Sequence, residues 1–228
     1  MGPLGGSTRE QVAQGRPLDK DQSSLMCMQI ALIHEALMIR LGTISMILEE
    51  RKGAELLHAF ELAFNDWVAV FLFYSDQKQK YFARMIEEDR FSNNPFRDSA
   101  SDQPNQENRE LLAVLEMKGS TDAVIAFVQD VLDVMRDEIG RTTLIPRTKN
   151  HLRMQFIKLK NEFTDYVDVF QTLAFPLIKA ADVESEIDSG SRFLRDEEAD
   201  EEDWVIEWMR RNLSQPNVQT LEALLLRS

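Results

Sequence analysis

Three histidines, His34, His58 and His151, and a single cysteine, Cys27, stand against 39 acidic residues in this chain of 228. Glu55 and His58 are three apart, which sets both on one face of a helix, where they could ligate one metal. Di-metal helical bundles use that pair twice. Here it occurs once, because the residue three before His151 is Thr148. With glutamate this common, one such pair arises by chance about a third of the time. The histidines therefore read as helix-surface or satisfied core residues, and neither a metal ligand nor a cofactor is assigned. Cys27 lies between Met26 and Met28 in an apolar segment, where a thiol is inert packing. The sequence has no Gly-x-x-x-x-Gly-Lys-Ser/Thr phosphate loop and no Gly-x-Ser-x-Gly elbow. No catalytic residue is assigned.

The charged segments say more. Arg147, Lys149, Arg153, Lys158 and Lys160 crowd into residues 146 to 160, with no acid until Glu162. Lys149, Arg153 and Lys160 share one side of the predicted helix. Several of these cations fall in its first turns, where the helix dipole disfavours them. The stretch reads either as a solvated face or as a site for an anion: a phosphate group, an acidic partner or the chain's own acidic segment. That segment runs from Asp182 to Asp203, with eleven acids and two arginines. Ser185 within it has the setting of an acid-directed phosphorylation site.

The acidic run leads into WVIEWMRRNL. As a helix from about Glu202 it places Trp204, Val205, Trp208, Met209 and Leu213 on one face, with Glu201 to Asp203 in its first turn and Arg210 and Arg211 in its last, both favourable to the dipole. Two tryptophans are not left in water, so the face is expected either to bury against the chain's own helices, which is favoured, or to dock into another protein's groove. Charge complementarity adds the expectation that the acidic linker and the Trp helix fold back toward 146 to 160.

These segments hang on helices. From Leu25 to Leu48, Met26, Ile30, Ile33, Leu37, Leu41, Ile44 and Leu48 recur at helical spacing, and Leu32, Ile39 and Met46 form a second face. Gly53 suits a C-cap. A second helix from Ala54 to about Arg90 carries Leu57, Phe60, Phe64, Trp67, Phe71, Tyr74, Tyr81 and Met85, interrupted only by Lys78. Residues 91 to 106 read as a long mobile loop and 106 to 117 as a short helix. Ser120 is placed as the N-cap of a helix with Val124, Ile125, Val128, Val131, Leu132, Met135 and Ile139 on one stripe. Pro146 opens a helix striped by Leu152, Phe156, Leu159, Phe163, Tyr166, Phe170, Leu173 and Leu177, and Pro176 is expected to kink it near Thr172. Two short helices follow, at 204 to 213 and 218 to 226. No stretch alternates with the period of a strand.

The long-helix layout resembles the hemerythrin-like family, and AFPLI at 174 to 178 is similar to its phenylalanine–proline turn. Tyr166 and Phe170 stand where that family's His-x-x-x-Glu ligand pair would fall, so the resemblance implies no iron site.

The fold expected is all-α: a bundle of four to five long antiparallel helices over 23 to 181, after a disordered lead-in at 1 to 22. An acidic linker at 182 to 203 and C-terminal amphipathic helices at 204 to 228 follow. The net charge of −13 disfavours nucleic acid as a partner. The longest apolar run, WVAVFLFY at 67 to 74, is too short to span a bilayer. One cysteine and no apolar leader point to an intracellular protein, cytoplasmic or nuclear. The function expected is a non-catalytic protein–protein interaction module: a scaffold, adaptor or regulatory subunit with a protein partner. A bundle holding a small ligand or metal is the alternative, and an enzyme with a non-motif site the weaker one. The coiled-coil-like spacing serves an intramolecular bundle and a homodimer alike.

Overall fold

A computed structural model describes residues 25–87, 118–138, 146–182, 194 and 204–226. Among them are six helices and no strand: α1 (Leu25–Glu50), α2 (Gly53–Glu87), α3 (Lys118–Glu138), α4 (Pro146–Asp182), α5 (Trp204–Asn212) and α6 (Gln215–Leu225). The all-α class is the one the periodicity implied. The loop at 91–106, the short helix at 106–117, most of the acidic linker, Ser185, Gly140 and Ile139 lie outside the described residues.

The chain divides into two compact units. The first comprises Met1–Ala36, Asp76–Glu116 and Asp168–Ser228, the second Leu37–Ser75 and Met117–Val167. Helices α1, α2 and α4 each contribute to both.

The second unit is built on aromatic rings. Phe60, Phe64, Trp67 and Phe71 stack along α2, with successive centroids 5.4, 6.2 and 5.2 Å apart. Phe156 and Phe163 of α4 meet them edge-on, at 5.8 Å from Phe60 and 5.4 Å from Trp67. Edge-to-face contact brings the positive ring edge to the negative face, adding to the area buried. Residue numbers rise together along this seam, so α2 and α4 run parallel. Helix α1 is antiparallel to α4: Met38 receives the Thr164 hydroxyl at 3.8 Å, Glu49 pairs with Arg153 at 2.6 Å, and the Arg51 carbonyl accepts from Lys149 at 3.3 Å. The expected antiparallel order thus holds between α1 and α4, while α2 and α4, with α3 between them in the chain, point the same way. Trp67 donates its indole N–H to the Leu37 carbonyl at 3.1 Å. At the top of the ladder the Tyr74 and Tyr166 hydroxyls meet at 2.9 Å. Burial pushes both phenols well above their ordinary range.

The first unit packs its portions of α1, α2 and α4 around Phe170, which lies 6.1 Å from Phe82 and 6.3 Å from Phe175. Met26, Ile30, Ile33 and Ala36 of α1 are buried in it.

Several local expectations shift. Gly53 opens α2 instead of capping α1, because a two-residue link, Arg51–Lys52, is enough to reverse the chain. Helix α3 starts at Lys118, so Ser120 lies within its first turn and is not its cap. Ile125 is 41% exposed because the buried stripe of α3 is Val124, Val128, Val131, Val134 and Met135. Ile39 and Met46 likewise face outward, at 39% and 55%. Helix α4 continues through Pro176 to Asp182 as one element, which the expected kink near Thr172 allows. Leu173 is 43% exposed, and Ala174 and Ile178 take over the core stripe. A strict four–three alternation averages 3.5 residues per turn and falls behind a straight 3.6-residue helix, so by α4's last turns the inward position has moved on by one.

By length and composition alone, Leu25–Glu50 and Ala54–Phe82 are apolar enough to cross a membrane, which the longest-run criterion missed. Within the fold, 56% and 39% of their most apolar windows are buried.

Candidate interaction surfaces

The C-terminal tryptophan helix is docked. Val205, Ile206, Trp208 and Met209 are buried, Leu213 is half-buried, and Trp204 is the exposed member at 38%. α5 and α6 form a short hairpin in the first unit, joined by Arg210, whose guanidinium meets Glu222 at 2.7 Å and also pairs with Glu207. That pairing holds the Glu222 carboxyl below its usual range.

The hairpin is anchored at its bend by a buried carboxylate. Ser214 stands at the N-cap of α6 but does not cap it; its hydroxyl donates to Glu35 Oε1 at 2.9 Å. The Ser214 backbone N–H and the Asn217 amide also donate to Glu35. A carboxylate at a helix N-terminus meets unpaired N–H groups and the positive end of the dipole, which lets Glu35 sit at 3% exposure. Burial still raises its pKa, against the lowering pull of these donors. Glu35 follows His34 in the most apolar of the described helices and carried no signal of its own in the sequence.

His34 is wholly buried, its ring edge-on to Phe170 at 5.6 Å. Lys78, at 2% exposure, lies 5.9 Å from the same ring's centroid, a cation–π distance. Burial, then the charge of Lys78, lowers the His34 pKa to about 3. His34 is therefore neutral at physiological pH and packs edge-on against Phe170 there. The interruption of the α2 stripe at Lys78 was thus a core position occupied by a cation. His58 and Glu55 are exposed, Glu55 pairing with Arg51, and His151 is exposed beside Gln155 at 3.2 Å. Among the described residues no group of three or more His, Cys, Asp or Glu could hold a metal.

The basic stretch of α4 belongs to the second unit. Lys149 and Arg153 turn toward the C-terminal end of α1, through the Arg51 carbonyl and Glu49. Cations at a helix C-terminus are favourable, and this compensates their unfavourable place in the first turns of α4. Arg147 and Lys158 are exposed and Lys160 is half-buried, none with an ion pair among the described residues.

Lys160 shares the α1 side of α4 with Lys149 and Arg153. The α1–α4 contacts fix an antiparallel register in which Gly42 falls level with Lys160, and Met46 level with Phe156 and Ile157. Ile39, Gly42 and Met46 recur at i, i+3 and i+7, on one outward strip of α1. A Cβ placed on Gly42 would meet nothing within 4 Å. Ile157 opposes this strip at 46% exposure. The seam is therefore a shallow trough with aliphatic walls and a lysine at its midpoint. Neither the open space at Gly42 nor its place level with Lys160 is visible without the register.

Comparison with protein-family models, with curated proteins and with solved structures gives no match in any of the three, so the surfaces described above are what bears on function.

Proposed function

We propose that the protein is a non-catalytic helical interaction module, acting as a scaffold, adaptor or regulatory subunit through its folded helices. The observation that carries this is the apolar strip of Ile39, Met46 and Ile157, held in water on rigid helices beside Lys160, Arg153 and Lys149. Apolar side chains set in a row and rimmed by charge are the composition of a protein-binding surface. The tryptophan helix belongs to this module as a structural part, since its apolar face is spent within the first unit. On the same reading α1 and α2 are core helices and not membrane spans, because Glu35, His34 and Lys78 lie buried on them.

The test is photo-cross-linking from single exposed apolar positions of the full chain, Met46, Ile157, Leu72 and Ile125, in its native cells. Protein adducts confined to one cluster of positions are expected. Adducts at none of them would remove the interaction reading.

A further inference from the structure

We propose that the trough between α1 and α4 in the second unit receives one amphipathic helix of a partner protein. Its apolar face would lie on Ile39, Met46 and Ile157, and its flanking carboxylates would meet Lys160. The proposal rests on the interaction reading above and names the partner's chemistry.

Three observations converge on it. The first is the glycine. Gly42 sits in the middle of a 26-residue helix, where glycine is destabilising. Nothing in the fold uses its missing side chain, since a Cβ there would meet no atom within 4 Å. A glycine that the interior does not need leaves a surface dip in which another backbone can approach closely. The second is dimension. Ile39 to Met46 spans seven residues, about 10 Å at 1.5 Å per residue, or two helical turns. That length fits the i, i+3, i+4, i+7 anchors by which a helix is held in a groove. Met46 supplies a side chain that adapts to varied apolar partners.

The third is charge. Of the three cations on this side of α4, Lys149 and Arg153 are engaged by α1 itself. Lys160 makes no ion pair among the described residues, and the register places it level with Gly42. A cation at the midpoint of an apolar trough selects a carboxylate-bearing occupant and disfavours a basic one. Lys158 lies off this side of α4, about 160° around the helix from Lys160 at 100° per residue, and serves as the control.

The experiment uses the full chain and two labelled helical peptides with the same leucine stripe, one flanked by Glu and one by Lys, read by fluorescence anisotropy. The Glu peptide is expected to bind about ten-fold or more tighter than the Lys peptide. Gly42→Leu, which fills the dip, and Lys160→Glu are each expected to weaken it by about ten-fold, while Lys158→Glu changes it less than about two-fold. Thermal melts followed by circular dichroism show whether each variant is folded. No binding of the Glu peptide, equal binding of the Lys peptide, or undiminished binding by folded Gly42→Leu would each overturn the proposal. Mass photometry showing a dimer cross-linked through Met46 would also overturn it, by giving the trough to a second copy. Cross-links from Leu72 or Ile125 and not from Met46 would remove the trough while leaving the interaction reading in place.

Discussion

Acidification should destabilise the protein through His34 well before its carboxylates are protonated. The folded state holds this imidazole at about 3, against its ordinary value of 6.5, through burial and the neighbouring Lys78 charge. As the pH falls below 6.5 the unfolded chain takes up a proton that the folded chain refuses. Stability is therefore lost progressively from 6.5 down to about 3. At 1.4 kcal/mol per pH unit, the loss between about pH 7.5 and pH 5 is ~2 kcal/mol. Glu35 acts with the opposite sign. Its folded pKa is raised above 4.5, so between those two values the folded state binds the extra proton and gains stability as the pH falls. The whole-protein profile is accordingly shallower than that of His34 alone. Urea unfolding of the full chain and of His34→Gln at about pH 7.5, 6 and 5 isolates the histidine, since every other group is common to both. The difference in unfolding free energy should move by ~2 kcal/mol in favour of the variant across that range. Parallel curves would refute the reasoning, by showing that His34 is not held neutral by its surroundings.

Gly42→Ala is expected to stabilise the protein by ~0.5–1 kcal/mol, because the helix loses a glycine and the new methyl meets nothing. That corresponds to a rise of about 1–4 °C in melting temperature by calorimetry. Glu35→Ala removes the shared acceptor of Ser214 and Asn217, and deuterium uptake at 204–226 should rise by at least about ten-fold in rate with little change in the second unit. Tyr74→Phe breaks the hydroxyl pair at the top of the aromatic ladder and should cost ~1–2 kcal/mol in urea unfolding. The double variant with Tyr166→Phe should cost less than the sum of the two single changes.

The helices were legible because their stripes are long. Leu152, Phe156, Leu159, Phe163, Tyr166 and Phe170 hold a four–three rhythm through several turns, and all six are buried. Burial of Val205, Trp208 and Met209 was legible for a related reason: an apolar face with two tryptophans has little alternative to cover. Other features depend on which helices face each other. Glu35 reads as a stray acid in an apolar run until Ser214 and Asn217, 179 and 182 residues away, bring it their donors. Lys149 and Arg153 read as either a solvated face or an anion site, because the groups they meet, the Arg51 carbonyl and Glu49, belong to a different helix. Ile39 and Met46 matched a core pattern by spacing, yet α1 turns them outward. Periodicity marks an apolar face; packing decides whether it is covered.

The first unit is assembled from three stretches of chain, with the second unit's residues inserted between them. During synthesis, the segments that complete the second unit have left the ribosome by Val167, whereas Glu35 waits for Ser214 and Asn217. A nascent chain can therefore close its aromatic ladder while its N-terminal turns still lack their last covering layer. Long-range closure of this kind is slow and leaves apolar surface open in the interval. The early turns of α1, among the most apolar in the chain, are thus the surface that a chaperone would meet first, and the interval ends when the C-terminal hairpin arrives.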